Sequence, residues 1–520
     1  MKLYYMCLLA LTYYSDSVSW KQQQQQQRQN NSMYRHMRQE CSMLGVCIIP
    51  LLTVTMYPAT IHKQLLLWSC CSLIMYFLNV QQWLAIDKYR KILSANYYKF
   101  LCVVYTYLWI WCRQRSELGS SNVLWNLCFY MLIFELLLIS FPNTFTYSDH
   151  CVLSQMICMM IFICRSQLQS TVPWDFTNRE YIYRQHSVVI WVITWYLSCV
   201  VIPLSNTRGY MFCTFIIGNI LGGYLFGSMT WVMQWIGSFF VDVLWAHVYV
   251  LLYWVLILVI GFLAMKRVTT QHKLIIIRKY FHIWCLFLFL PWMSPIGTNA
   301  NANVNANANH NNQHFTEFLS LAFICACGIF IIFESIRLND LCHLQLSCAI
   351  EQYMKGFTDE KDGGVLILTH VWLLIGCAIP LWLTLLKGIT PLIFGQVFYF
   401  VYITVGLVVL GMGDSAAAIY GTKYGVHKWF QGTNKSVEGT LAAIFSCGAF
   451  YAFLYFLFSP FLLQSHGYTV VSMPKVITAL IKTLITTFVL EGLTKQIDNL
   501  YLPLFACLCL DLSISDRLAY

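Results

Sequence analysis

The sequence predicts an all-α, polytopic transmembrane helical bundle. Three observations carry that prediction: a composition too apolar for a soluble globule, a succession of continuous apolar runs, and a regular segregation of charge between successive loops. Of 520 residues, 58% are apolar, 16% aromatic and only 10% charged, against roughly 25% charged in an ordinary soluble domain. With a mean hydropathy of +0.61, too little polar surface remains to coat a water-soluble fold. Disordered and fibrous classes are excluded with it.

Apolar runs recur at 42–57, 64–86, 98–112, 123–141, 151–164, 188–204, 210–227, 229–264, 280–293, 316–333, 365–386, 390–410, 439–458, 475–490 and 499–513. A spanning helix takes about 20 residues, so these runs predict roughly 13–15 spans. They are continuously apolar rather than alternating, which excludes a barrel, and helices satisfy their own backbone in lipid. The organisation expected is a low-complexity tail over 1–41 that holds the run Gln22–Gln27, an N-terminal transmembrane region over 42–264 and a C-terminal one over 265–520. The 22 cysteines fall mostly inside apolar stretches and show no paired CxxC spacing, so they are read as packing residues.

Charge orients the C-terminal region. The net charge of +10 is spread in short basic runs beside apolar segments, the pattern of loops facing anionic lipid rather than of a nucleic-acid module. Loop 265–279 carries Lys266, Arg267, Lys273, Arg278 and Lys279 with no acid, while 294–315 has no charged residue. Loop 334–362 is charged again, as are 411–438 and 491–498, whereas 459–474 is bare. The positive-inside rule puts the charged loops together on the cytosolic face. A site at that membrane surface is the expectation.

The segment best suited to chemistry runs from Gly411 to Gly425 (GMGDSAAAIYGTKYG), followed by Gly432 to Gly439 (GTNKSVEG). Gly411 and Gly413 permit a tight turn and close approach to a ligand, with Asp414 at the membrane border. Ala417, Gly421 and Gly425 recur every four residues as a stripe for close helix contact. Lys423, Lys435, Ser436 and Glu438 add cations, a hydroxyl and a carboxylate. Such a set suits a nucleotide with a divalent metal: lysines offset phosphate charge, main-chain N–H groups bind phosphate oxygens, and carboxylates hold Mg²⁺. No P-loop pattern is present.

GxGDxxAxxxGxxxG followed by KSxEG resembles the CTP-binding signature of the dolichol kinase family. Arg278-Lys-Tyr-Phe-His282 is similar to that family's RKxFH element. Phe357–Gly363 continuing into Leu366–His370 resembles its DERD-x-G-x-LILTH block, and Glu491 through Gln496-Ile-Asp-Asn-Leu-Tyr-Leu-Pro503 its terminal element. The resemblance covers about 265–513; one departure is Asn434, where the family often has a second lysine before the Ser/Thr-x-Glu-Gly.

The resemblance implies a kinase of the endoplasmic-reticulum membrane with its site facing the cytosol, transferring the γ-phosphoryl group of CTP to dolichol. The dolichyl phosphate formed would serve protein glycosylation and GPI-anchor precursor synthesis. It implies Asp414, Asp498 and Lys435 as catalytic residues. Gly411, Gly413, Gly421, Gly425, Lys423, Lys435, Ser436, Glu438, Gly439, Arg278, Lys279 and His282 are implied around the nucleotide, and Asp414 and Glu438 around a divalent metal such as Mg²⁺. Partners implied are CTP, dolichol and membrane lipids, with no nucleic acid.

Asp359, Lys361, Asp362 and His370 belong to a matching block, whereas Glu334 and Arg337 read as a local i, i+3 ion pair. Glu135 and Asp242 read as packing contacts. Asn434-Lys-Ser436 is formally a glycosylation sequon and stays unmodified if its loop is cytosolic. Other CTP-using lipid enzymes, a phytol or polyprenol kinase or a phosphatidate cytidylyltransferase, are the nearest alternatives. A membrane transporter is the alternative from another class. The cytidylyltransferase lacks support because no His-Gly-Gly followed by Asp-Arg-x-Asp occurs.

Overall fold

A computed structural model describes residues 48–49, 52, 130, 134, 146–168, 248–268, 274–294, 318–320, 322–330, 333–334, 337, 351, 367–387, 394–429, 435–462, 471–494 and 497–514. The Gln-rich tail, the Asn/Ala run and the residues Glu135, Asp242, Asp359, Lys361, Asp362 and Asn434 lie outside them. The chain is an all-α membrane protein. It forms two units, Met1–Ser166 and Gln167–Tyr520.

In the first unit, helix α1 (Tyr147–Leu168) begins with a reciprocal cap. The Thr146 hydroxyl donates to Asp149 Oδ2 at 2.7 Å, the Thr146 N–H donates to the same oxygen at 3.2 Å, and Asp149 N–H returns a bond to Thr146 Oγ1 at 3.3 Å. Helix-end donors buried away from water are thereby satisfied by the chain itself.

The second unit holds α2 (Val248–Val268), α3 (Leu274–Met293), α4 (Thr369–Lys387), α5 (Gln396–Val408), a π-helical turn (Val409–Asp414), α6 (Ser415–Tyr424), α7 (Val437–Leu462), α8 (Met473–Leu493) and α9 (Asp498–Ile514). Among the described residues, Gln396–Tyr424, Val437–Ser459 and Met473–Leu493 are long and apolar enough to cross a membrane. Val248–Ala264, Phe318–Phe330 and Thr369–Thr384 are shorter apolar helices. Leu441, Phe445, Phe456 and Ile481 stand exposed on α7 and α8, as lipid-facing residues should. Helix α9 is different: Asn499–Leu508 are buried without a break. It is the central post, packed against α4, α5 and α8.

Prolines decide how closely these helices approach. A proline lacks the N–H that would bond the carbonyl four residues earlier, and in lipid no water replaces it. Pro291 frees the carbonyl of Phe287, and Tyr253 on α2 donates its hydroxyl to that oxygen at 2.6 Å. Pro380 frees the carbonyl of Gly376, against which Gly406 of α5 packs. Pro503 frees the carbonyl of Asn499, against which Gly376 itself packs. A β-carbon on Gly376 would lie 1.9 Å from the Asn499 oxygen, and one on Gly406 would lie 2.5 Å from the Gly376 oxygen. The freed carbonyls thus meet glycine backbones in a stack running from α5 through α4 to α9.

Near the start of α4, the Glu334 carboxylate holds Arg337 through bonds of 2.8 and 2.7 Å and also accepts the Ile367 N–H at 2.6 Å. The pair is local, as its spacing indicates, and it also ties down the chain entering α4.

The glycine stack makes a clear prediction. Gly376→Ala forces main chain apart and is expected to destabilise the protein by about 3 kcal/mol, at the upper end of overpacking costs. Gly448→Ala, whose added carbon meets nothing within 4 Å among the described residues, should not lower the thermal midpoint of the detergent-solubilised protein, since alanine is the better helix former.

Candidate active site

Five elements bring charge to one place. The π-helical turn closes the long apolar stretch of α5 and places Asp414, 3% exposed, against α3 and α8. The one-residue insertion of a π-turn re-aims the residues that follow it, a device common at functional sites. Its glycines allow close packing: a β-carbon on Gly411 would fall 2.4 Å from Leu286 Cγ, and one on Gly413 would fall 2.0 Å from Phe488 Cζ. Gly411 and Gly413 thus lie in continuous helix backbone packed against apolar side chains, where the sequence expectation places them beside the nucleotide.

Asp414 is paired from α3. Lys279 Nζ donates to Asp414 Oδ2, and His282 Nε2 lies 3.2 Å from the same oxygen. His282 Nε2 is also 2.9 Å from Asn499 Oδ1, while Asn499 Nδ2 donates to Thr369 O at 3.4 Å. Both partners of Nε2 are oxygens, so that nitrogen carries the hydrogen. Lys279 and His282 sit at i and i+3 on one face of α3, and so reach one carboxylate together. Arg278 lies on α3 too, but its side chain is outside the described residues.

Two further carboxylates complete the group. Glu491 ends α8 and Asp498 begins α9, and each places an oxygen within 4.8 Å of the others and of Asp414. Glu491 is 7% exposed, and its Oε2 is buried with no hydrogen-bond partner among the described residues. A buried carboxylate oxygen without a donor is costly. A divalent cation beside three carboxylates removes that cost, and hard oxygen donors suit Mg²⁺. Asp414, Glu491 and Asp498 therefore fit a divalent metal. Glu491 is not among the residues the sequence nominates, although it opens the terminal block that carries the resemblance.

Lys435 reaches this group from the start of α7. Its ammonium donates to Glu491 O at 2.6 Å, Thr494 O at 3.0 Å and Asp498 Oδ1 at 3.3 Å. All three of its hydrogens are used. Lysine at the carbonyl end of α8 also suits the helix dipole.

The remaining nominated residues lie apart from the carboxylates. Glu438 does not join Asp414: its carboxylate accepts the His427 main-chain N–H at 3.0 Å and meets His427 Nδ1 at 2.6 Å. The sequence expectation groups it with Asp414 around a metal; in the structure its carboxylate is held by His427 instead. The cause is a small hairpin in which Lys428 bridges Ser436, Trp429 N–H donates to Lys435 O and Val437 N–H donates to His427 O. Ser436 is buried, and its Oγ accepts the Gly439 N–H at 3.2 Å, capping α7. Gly421, Gly425 and Gly439 pack around that hydroxyl, so the stripe of small residues joins α6 to α7. Lys423 is exposed on α6 and lies 5.0 Å above the Tyr424 ring.

No family model and no solved structure matches the chain. Among curated proteins, it is 31% identical over 265 residues to dolichol kinase EVAN of Arabidopsis thaliana, covering 50% of this chain and 40% of that protein. It is 33% identical over 246 residues to dolichol kinase sec59 of Schizosaccharomyces pombe, covering 46% and 40%. With the dolichol kinase of Homo sapiens it shares 28% identity over 298 residues, covering 54% and 47%. Over the matched half, the chain is similar to proteins named dolichol kinase. It spans less than half the length of each of these relatives. In this chain, three acids and two lysines meet where the apolar helices end.

The capping role of Ser436 is measurable. Ser436→Ala should cost about 1 kcal/mol, the usual loss of an N-cap hydroxyl, read as a drop of a few degrees in thermal midpoint. An unchanged midpoint would refute the cap.

Proposed function

We propose that the protein is a dolichol kinase that transfers the γ-phosphoryl group of CTP to the terminal hydroxyl of dolichol, giving CDP and dolichyl phosphate. The observation that carries this reading is the carboxylate group Asp414–Glu491–Asp498, its first two members buried, flanked by Lys279 and Lys435. The relatives named dolichol kinase supply the substrate class. CTP as donor rests on the resemblance of the 411–439 segment to that family's signature.

Phosphoryl transfer passes through a loose transition state that needs alignment and charge neutralisation more than covalent help. A divalent metal held by Asp414, Glu491 and Asp498 would supply that neutralisation at the phosphate oxygens. Lys279 adds a second positive charge. His282, fixed by Asn499, keeps the Asp414 carboxylate oriented. The acceptor oxygen bonds to the γ-phosphorus as the bond to the CDP oxygen breaks, and the hydroxyl proton passes to a carboxylate oxygen of the group. The apolar bundle lets the polyprenyl tail stay in lipid while its hydroxyl reaches the charged end. The positive-inside rule supports a cytosolic orientation of that end, and the resemblance supports the endoplasmic-reticulum membrane, where the product would enter glycosylation and GPI-anchor synthesis.

Transfer of ³²P from γ-labelled CTP to dolichol tests the reading, in membranes that lack their own activity. Wild type should form labelled dolichyl phosphate. Asp414→Asn and Glu491→Gln should lose at least about 100-fold, the scale of a lost transition-state electrostatic contact, whereas Glu438→Gln should stay within about threefold because its partner is a surface histidine. No transfer by well-expressed wild type, or full activity in both carboxylate variants, would overturn it.

A further inference from the structure

The two lysines at the site are held in different ways. Lys435 spends its three hydrogens on two main-chain carbonyls and Asp498, and the carbonyls remain in place whatever binds the carboxylates. Lys279 donates to Asp414 and to no other group among the described residues. Two of its hydrogens are unspent, its side chain is 13% exposed, and its four-carbon stem can swing. Its ammonium also sits against the carboxylate that a dication would need.

We propose that Lys279 is a placeholder cation: it neutralises buried Asp414 while the metal is absent, yields that oxygen when the metal arrives, and then turns its freed ammonium to the nucleotide's phosphate oxygens. The inference rests on the metal-dependent reading above. It makes metal and nucleotide binding cooperative. Bare metal must displace an ammonium from Asp414, whereas metal arriving with a triphosphate offers that ammonium new anionic oxygens. A lysine that only bound phosphate would leave bare-metal affinity alone, and one that only held the fold would weaken both ligands together.

The test is thermal stabilisation of the purified full chain by Mn²⁺ alone and by Mn²⁺ with CTP, which reads binding without turnover. Lys279→Gln, which removes the competing charge, should tighten bare Mn²⁺ about tenfold and weaken CTP in the presence of Mn²⁺ about tenfold or more. Lys279→Arg keeps the charge and grips a carboxylate with two parallel bonds, so bare Mn²⁺ should bind about tenfold more weakly. This second variant decides the matter if the glutamine variant does not fold. Unchanged Mn²⁺ affinity in either folded variant, or weaker Mn²⁺ binding in Lys279→Gln, would overturn the placeholder. Absence of any Mn²⁺ stabilisation of wild type would instead overturn the metal site itself.

Discussion

A negative charge at Asp414 can be buried in this bundle only because a lysine and a histidine one helical turn apart on α3 meet it there. Much of the surrounding architecture follows from that requirement. Helix α3 must lie against the π-turn, which Gly411 permits by leaving room for Leu286. His282 must hold its angle, which Asn499 secures from the head of α9. Helix α9 in turn is set by the glycine and proline stack that joins it to α4 and α5. A polar site in an apolar solvent thus depends on backbone packing several helices away, and stability and chemistry are linked through Asn499.

The hydrophobic arithmetic of the sequence suffices for the class of fold, and its charged stretches contain the residues that the fold gathers. Residues from the N-terminal half of α3, from the segment around 411–438 and from 491–498 come together. Asp414, Lys279, His282, Lys435 and Asp498 are legible because each is a charged or titratable residue at the edge of an apolar run. Glu491 is not: an acid in the last turn of an apolar helix looks the same whether it faces water or a metal. Its unpartnered, buried oxygen appears only in three dimensions.

Residue type alone does not display the partners. Gly411 and Gly413 read as room for a ligand, and in the structure Leu286 and Phe488 lie in the space beside them. Lys435 reads as a catalytic or phosphate-binding cation, and two of its three acceptors are main-chain carbonyls that no sequence pattern displays. Glu438 reads as a metal ligand, and the hairpin brings His427, eleven residues away, against it. In each case the deciding partner is distant in sequence or belongs to the backbone.

Binding of Mn²⁺ by the purified protein, followed by electron paramagnetic resonance, tests most directly whether Asp414, Glu491 and Asp498 form one metal site. The account predicts a bound Mn²⁺ whose affinity falls at least about tenfold in Glu491→Gln, the scale of a lost oxygen ligand, and is unchanged in Glu438→Gln. Equal binding by wild type and Glu491→Gln, or loss in Glu438→Gln alone, would contradict it.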